Sequence, residues 1–199
     1  ILKENQVLKN EFSFTLVSKM KNYSNKVKAG HYVFEKYMNN RQIVNRLSLG
    51  LQIPVTLVIY NIRTKEEFAG LVGRTLELDS NMVLAKLNDA AFCKTYNSDT
   101  NKILSHFIVD NYEFYWNISF DKFTDKMNTA YNLFWNKERK AKAAALDLTP
   151  QQVTTLASIV EKEVIRDKEL TTVAGVYINR LKIGMPLQAD PTLVYALRD

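Results

Sequence analysis

One cysteine, four prolines and six glycines occur in the 199 residues, and no apolar run is long enough to span a bilayer. Each scarcity removes a class of protein. A lone Cys93 cannot close an intramolecular disulfide and has no second thiol with which to build a CxxC metal or redox site. So little glycine and proline, without a repeat or a polar tract, excludes collagen-like and low-complexity chains. With 46% hydrophobic and 24% charged residues, the chain can bury a real core as one or two globular domains and does not read as intrinsically disordered. The longest apolar stretch, Leu51 to Ile62, is interrupted by Gln52, Pro54, Thr56 and Asn61, well short of the roughly 18 to 20 residues of a membrane span. Basic residues outnumber acidic ones, 27 to 21, for a net charge of +6. They are spread along the chain, which favours an anionic partner only weakly and does not make nucleic acid one. Nothing assigns a metal or a cofactor.

What is present divides into stretches of recognisable period. Residues 1 to 20 place Leu2, Leu8, Phe12, Leu16 and Met20 near helical spacing. A hinge follows at Lys28-Ala29-Gly30, and the aromatic and β-branched His31-Tyr32-Val33-Phe34 reads as a strand. Ile43, Val44 and Leu47 share a helical face in Arg41 to Leu49, and Gly50 supplies a left-handed stop. Beyond this helix-strand-helix unit, Pro54 to Ile59 is a second strand candidate, and Thr64-Lys65-Glu66-Glu67 has the capping-box pattern of a helix start. Leu76 to Leu87 reads as another helix and Asn97-Ser98-Asp99 as a loop.

Tyr112, Phe114, Tyr115, Trp116 and Phe120 crowd nine positions. Such rings suit a sugar-stacking platform. In a chain with ten Tyr and ten Phe, core packing is the stronger expectation, with one or two rings at most reaching solvent. From Ser119 a helical stripe runs through Phe120, Phe123, Met127, Ala130, Tyr131 and Phe134 into the strong helix formers of Lys137 to Ala145. An unbroken helix to Leu146 would be about 40 Å long. The basic run Lys137, Arg139, Lys140 and Lys142 is its solvated face.

Thr149-Pro150-Gln151-Gln152 is a second helix start, with Thr149 as cap, Pro150 at the first helical position and Gln152 closing the box. At 100° per residue, Leu156, Ala157, Val160 and Val164 fall within about 60° of one direction, and Glu163 lies about 60° from the centre of that stripe. Glu161 lies about 100° away on the other side, as ordinary surface charge. A carboxylate on an apolar face has its charged form disfavoured by desolvation, the condition a general acid requires. The competing reading for Glu163, and on spacing alone the stronger one, is an ion pair with a Lys or Arg of a neighbouring helix or a turn to the solvated rim. Val173, Val176, Tyr177 and Leu181 form the face of the next helix, which Gly184 and Pro186 end, and Asp190-Pro191 opens a further one. Asn179, Arg180, Gln188, Asp190, Thr192 and Tyr195 are the polar residues around that junction, Asp190 also suiting a helix cap and Arg180 a carboxylate partner.

These residues carry a resemblance. Leu156-Ala157-Ser158-Ile159-Val160-Glu161-Lys162-Glu163, then Val176-Tyr177-Ile178-Asn179-Arg180-Leu181 and Met185-Pro186-Leu187-Gln188-Ala189-Asp190-Pro191-Thr192, resemble the endolytic murein transglycosylase (YceG-like) family. Weaker similarity extends through Asn111 to Trp116 and back to Lys28-Ala29-Gly30-His31-Tyr32. The resemblance implies an α+β fold: a small, incomplete LysM-like module at 1–50, then a mainly helical, lysozyme/transglycosylase-like catalytic region at 51–199. It implies cleavage of peptidoglycan glycan strands between N-acetylmuramic acid and N-acetylglucosamine with formation of 1,6-anhydro ends, in cell wall assembly. Glu163 would be the catalytic acid and base, and Asn179, Gln188, Asp190, Thr192 and Tyr195 would line the sugar cleft. No cofactor or metal is implied. The implied setting is the extracytoplasmic side of the cytoplasmic membrane, with a single-pass N-terminal anchor upstream of Ile1. Cell-wall synthases and morphogenesis proteins are the implied partners. Two departures stand out: Val164 replaces the family's usual Thr or Ser, and the family's Tyr-Asn-Thr-Tyr and Asn-Pro-Gly segments of the catalytic domain would lie beyond Asp199. A non-catalytic peptidoglycan-binding or scaffolding protein of the envelope is the alternative function.

Overall fold

The computed structural model describes Leu2, Val7, Leu8 and residues 10–197. Its elements are, in chain order, α1 (Glu11–Met20), α2 (Asn40–Leu49), β1 (Val55–Ile59), α3 (Lys65–Thr75), α4 (Ser80–Leu87), α5 (Ala90–Thr95), β2 (Asp110–Phe114), α6 (Phe120–Phe134), α7 (Lys137–Ala144), α8 (Pro150–Glu163), α9 (Leu170–Lys182) and α10 (Asp190–Leu197). Short 3-10 turns occupy Tyr23–Asn25, Ile103–His106 and Asp167–Glu169. This is a mainly helical α+β chain. No helix among the described residues is long and apolar enough to cross a membrane. The chain forms two compact units, residues 1–92 with 109–126, and residues 93–108 with 127–199.

The first unit is organised around a two-stranded antiparallel sheet in which Val55 faces Phe114, Leu57 faces Tyr112 and Ile59 faces Asp110. Leu57, Ile59, Tyr112 and Phe114 are buried, while Thr56, Val58, Asn111 and Glu113 are exposed. That alternation is what a sheet with one covered face produces. Phe68 of α3 and Phe123 of α6 belong to the same core, with Phe123 5.2 Å from Phe114 and 6.4 Å from Phe68 between ring centres. The helix starts are fixed by reciprocal capping: Asn39 with Gln42 before α2, and Thr64 with Glu67 before α3. Gly50 ends α2 at φ 71°, the left-handed cap its lack of a Cβ permits.

Four expectations need correction here and in the second unit. His31–Phe34 is not a strand: its tie to Ile53 is a single hydrogen bond, the Ile53 N–H donating to the His31 carbonyl at 2.9 Å, and a strand needs a ladder. Of the helix expected over 1–20, Glu11–Met20 is helical and Leu2, Val7, Leu8 and Asn10 are not, while Ile1, 3–6 and Lys9 lie outside the described residues. The helix expected from Leu76 starts at Ser80, because the Asp79 carboxylate accepts from the Asn81 N–H at 3.0 Å and caps it there. The long helix from Ser119 is two helices. Asn136 takes an extended backbone conformation and its side chain accepts from the Arg139 N–H at 2.9 Å, starting α7 anew; an Asn side chain competes with the helix ladder in this way. The basic run of α7 is exposed, with Lys142 paired to Glu138 one turn earlier at 2.7 Å.

In the second unit, α8, α9 and α10 enclose a small core of Leu156, Val160, Tyr177 and Ala189. Leu148, Ile159, Val164, Val173, Ala174, Ile178 and Leu187 pack around it. α8 begins as its sequence prescribes. Thr149 accepts from the Gln152 N–H, Gln152 reaches back to the Thr149 N–H at 2.8 Å, and Pro150 occupies the first turn.

Candidate functional site

The site is built on the C-terminal end of α8, the body of α9 and the loop that leads into α10. α9 stops through a Schellman arrangement: the Met185 N–H donates to the Arg180 carbonyl at 2.8 Å, and the Gly184 N–H to the Leu181 carbonyl at 3.1 Å. Gly184 takes the left-handed conformation this requires, φ 68°. The loop then returns toward α9, where the Arg180 guanidinium donates to the Leu187 carbonyl. Arg180 therefore holds a backbone carbonyl and not the carboxylate expected as its partner. Gln188 has φ 52° and starts the turn into α10, and the Thr192 hydroxyl donates to the Ala189 carbonyl at 2.6 Å.

Glu163 is the last residue of α8. Glu163 is exposed, which corrects the expectation of a carboxylate desolvated on the apolar face and matches the alternative of a turn to the solvated rim. The helical wheel placed it at the right azimuth but says nothing about level: the face is covered at Leu156 and Val160, and the helix ends one turn further on. Ala157, counted in the same stripe, is exposed, and Ile159 packs in its place. The ion-pair role for Glu163 is not realised: among the described residues no Lys or Arg pairs with it. Its charge is instead felt by the phenol of Tyr177 on α9. Glu161 is exposed surface charge.

Tyr177 is 4% exposed. Burial pushes its phenol above the usual value of 10, with the negative charges of Glu163 and Asp190 adding to the effect and Arg180 opposing it. The phenol is thus protonated across the physiological range. The sequence reading treated Tyr177 only as part of an apolar face. The available signal was its hydroxyl, since a buried Tyr normally finds a polar partner.

The charges that act on the Tyr177 phenol are those of Glu163, Arg180 and Asp190. Asn179, Gln188, Thr192 and Tyr195 are exposed on α9, the loop and α10, Tyr195 at 65%. None of these four shares a hydrogen bond with Glu163 among the described residues. In the aromatic cluster of the first unit, Tyr112 and Phe114 are buried, Trp116 and Phe120 are half-buried, and Tyr115 is the exposed ring at 55%. Core packing accounts for it. Among the described residues, no group of three or more His, Cys, Asp or Glu is placed to hold a metal.

The profile of the YceG-like family matches residues 1–199 in full. The chain belongs to the YceG-like family. It is 27% identical to the endolytic murein transglycosylase of Bacillus subtilis strain 168, covering 98% of this chain and 58% of that protein. With the endolytic murein transglycosylase of Streptococcus pneumoniae strain R6 the identity is 28%, over 96% of this chain and 39% of the relative. The crystal structure of a YceG-like protein from Listeria monocytogenes superposes with a TM-score of 0.60 at 26% identity, over 100% of this chain and 69% of that one. This YceG-like chain thus spans about half the length of the curated relatives it matches.

Proposed function

We propose that the protein is an endolytic peptidoglycan lytic transglycosylase and that Glu163 is its acid and base. The observation that carries this reading is a glutamate exposed at the end of α8, with no Lys or Arg partner among the described residues, in a chain matched throughout by the family. In the first step the Glu163 carboxyl group gives its proton to the glycosidic oxygen as the bond from muramic C1 breaks. In the second, the resulting carboxylate takes the proton of the muramic C6 hydroxyl, whose oxygen closes onto C1 and leaves a 1,6-anhydro end. The proton lost in the first step is regained in the second. One carboxyl group suffices because the attacking hydroxyl belongs to the substrate, whereas ordinary glycosidases need two. A glycan strand lying over the exposed carboxyl group would strip its water, supplying on binding the desolvation that the fold alone does not.

Asn179, Gln188, Asp190, Thr192 and Tyr195, exposed on the same loop and helices, are proposed to line the sugar cleft. The reading extends to an extracytoplasmic protein tethered to the cytoplasmic membrane by a preceding helix, with a LysM-like module at 1–50, acting in cell wall assembly beside synthases and morphogenesis proteins. The test is Glu163→Gln in the full-length protein, assayed on purified glycan strands. The expected outcome is a loss of about a hundredfold or more in anhydro-muramyl product formation; product at an unchanged rate removes the proposal.

A further inference from the structure

The first unit carries a groove that the chemistry at Glu163 does not use. It opens between the end of β1 and α3, with a volume of about 410 Å³. Val58, Ile62 and Leu71 line it with apolar surface, and Tyr60, 66% exposed, adds an aromatic ring. Its charged lining is unequal in sign, since Arg63 and Arg74 contribute two guanidinium groups and Glu67 one carboxylate. That carboxylate is already committed to the start of α3, accepting from the Arg63 N–H at 2.7 Å and the Thr64 N–H at 3.4 Å. Neither guanidinium has an acidic partner among the described residues. One of them also has space made for it. Gly70 lies in the interior of α3, where alanine would favour the helix. A Cβ there would stand 3.1 Å from the Arg74 Nη1 atom, tighter than side chains normally pack. The missing methyl group lets the guanidinium lie back along the helix, space that an arginine merely facing solvent would not need.

We propose that this groove binds the carboxylates of the peptide stems that peptidoglycan strands carry. The inference takes its ligand from the substrate proposed above. A guanidinium matches a carboxylate with two parallel N–H donors. Two such groups without partners, set beside apolar surface, suit a short peptide with more than one carboxylate and small apolar side chains. The lactyl carboxylate of a stem-free muramic sugar supplies one charge next to a polar ring, and leaves the second guanidinium and the apolar lining unmatched. Sugar hydroxyl groups also need acceptors, and the one carboxylate of the groove is taken up by the backbone. Binding here gives the protein a preference for strands that retain their stems.

The test titrates the full-length protein with N-acetyl-L-alanyl-γ-D-glutamyl-L-lysyl-D-alanine, a stem peptide with two carboxylates, and with the same peptide amidated at both. The expected result is saturable binding of the first, weakening at high salt, and none of the second. Arg63→Gln and Arg74→Gln each weaken binding about tenfold, with unfolding temperatures close to wild type. Gly70→Ala raises the unfolding temperature yet weakens binding, opposite changes that a loss of folding does not produce. No binding of the peptide by wild type, or unchanged affinity when both arginines are replaced, overturns the inference. Tighter binding of the stem-free disaccharide of N-acetylglucosamine and N-acetylmuramic acid overturns it as well. The titration involves no cleavage, so the two failures are separable: activity retained in Glu163→Gln removes the catalytic assignment, and lack of peptide binding removes the groove alone.

Discussion

His106 is expected to make the stability of the second unit depend on pH, with a sign and size set by its surroundings. The ring is 3% exposed, stacked on Tyr131 at 4.0 Å between centres with 21° between planes, and 4.8 Å from Tyr96. Burial lowers its pKa from 6.5 to about 4, the Asn128 side chain opposing the shift. In the unfolded chain the ring accepts a proton near 6.5; in the folded chain it stays neutral to about 4. The unfolded state therefore binds more protons between these values, and the stability contributed by the neutral stacked ring is complete above about 6.5 and lost as pH falls toward 4. At about 1.4 kcal/mol per pH unit the loss has a ceiling of about 3 kcal/mol, which solvent screening reduces to roughly 1 to 3. The turn Ile103–His106 packs against α8, so the helix that carries Glu163 shares the loss. The assay is urea unfolding at several pH values between 7.5 and 4.5 for wild type and for His106→Phe, which keeps an aromatic ring in the stack. The other histidine, His31, is exposed and common to both, as are the carboxylates. The difference between the two pH profiles isolates position 106. Parallel profiles refute the reasoning, as would a folded-state titration of His106 near 6.5 followed by NMR.

Gly184→Ala is expected to cost about 1 kcal/mol, read as a fall in unfolding temperature, because a Cβ at φ 68° is strained while nothing lies within 4 Å to clash with it. Leu156→Ala removes a buried side chain from the small core under Tyr177 and is expected to cost about 2 to 4 kcal/mol in chemical denaturation. A cost below 1 kcal/mol would show that this core does not hold α8 against α9.

The parts of the fold that could be read from the chain are those set by local chemistry. Thr149, Pro150 and Gln152, Thr64 and Glu67, and Gly50 each carry their own reason for starting or ending a helix, and each acts where the residues place it. The parts that could not are set by what lies across the gap. His31–Phe34 has strand composition, but only a partner strand can make it one. Asn136 interrupts strong helix formers with a side chain that serves equally well as a cap, and sequence alone does not rank the two. Glu163 illustrates the same limit within the site: periodicity gives the direction in which a side chain points from its helix, not whether a neighbouring element extends far enough to cover it. Tyr177 lay in the apolar stripe of α9, and its packing role concealed its hydroxyl. Glu163 is proposed from motif and wheel together; its exposure at the end of α8 required the fold.

The origin of the oxygen at the new chain end tests the proposed chemistry most directly. Glycan strands are digested by the full-length protein in water enriched in heavy oxygen, and the products are weighed by mass spectrometry. Intramolecular attack by the C6 hydroxyl predicts anhydro ends free of solvent oxygen, lost together with activity in Glu163→Gln. Reducing ends that carry the heavy isotope would mean that water is the nucleophile, and would contradict a mechanism resting on one carboxyl group.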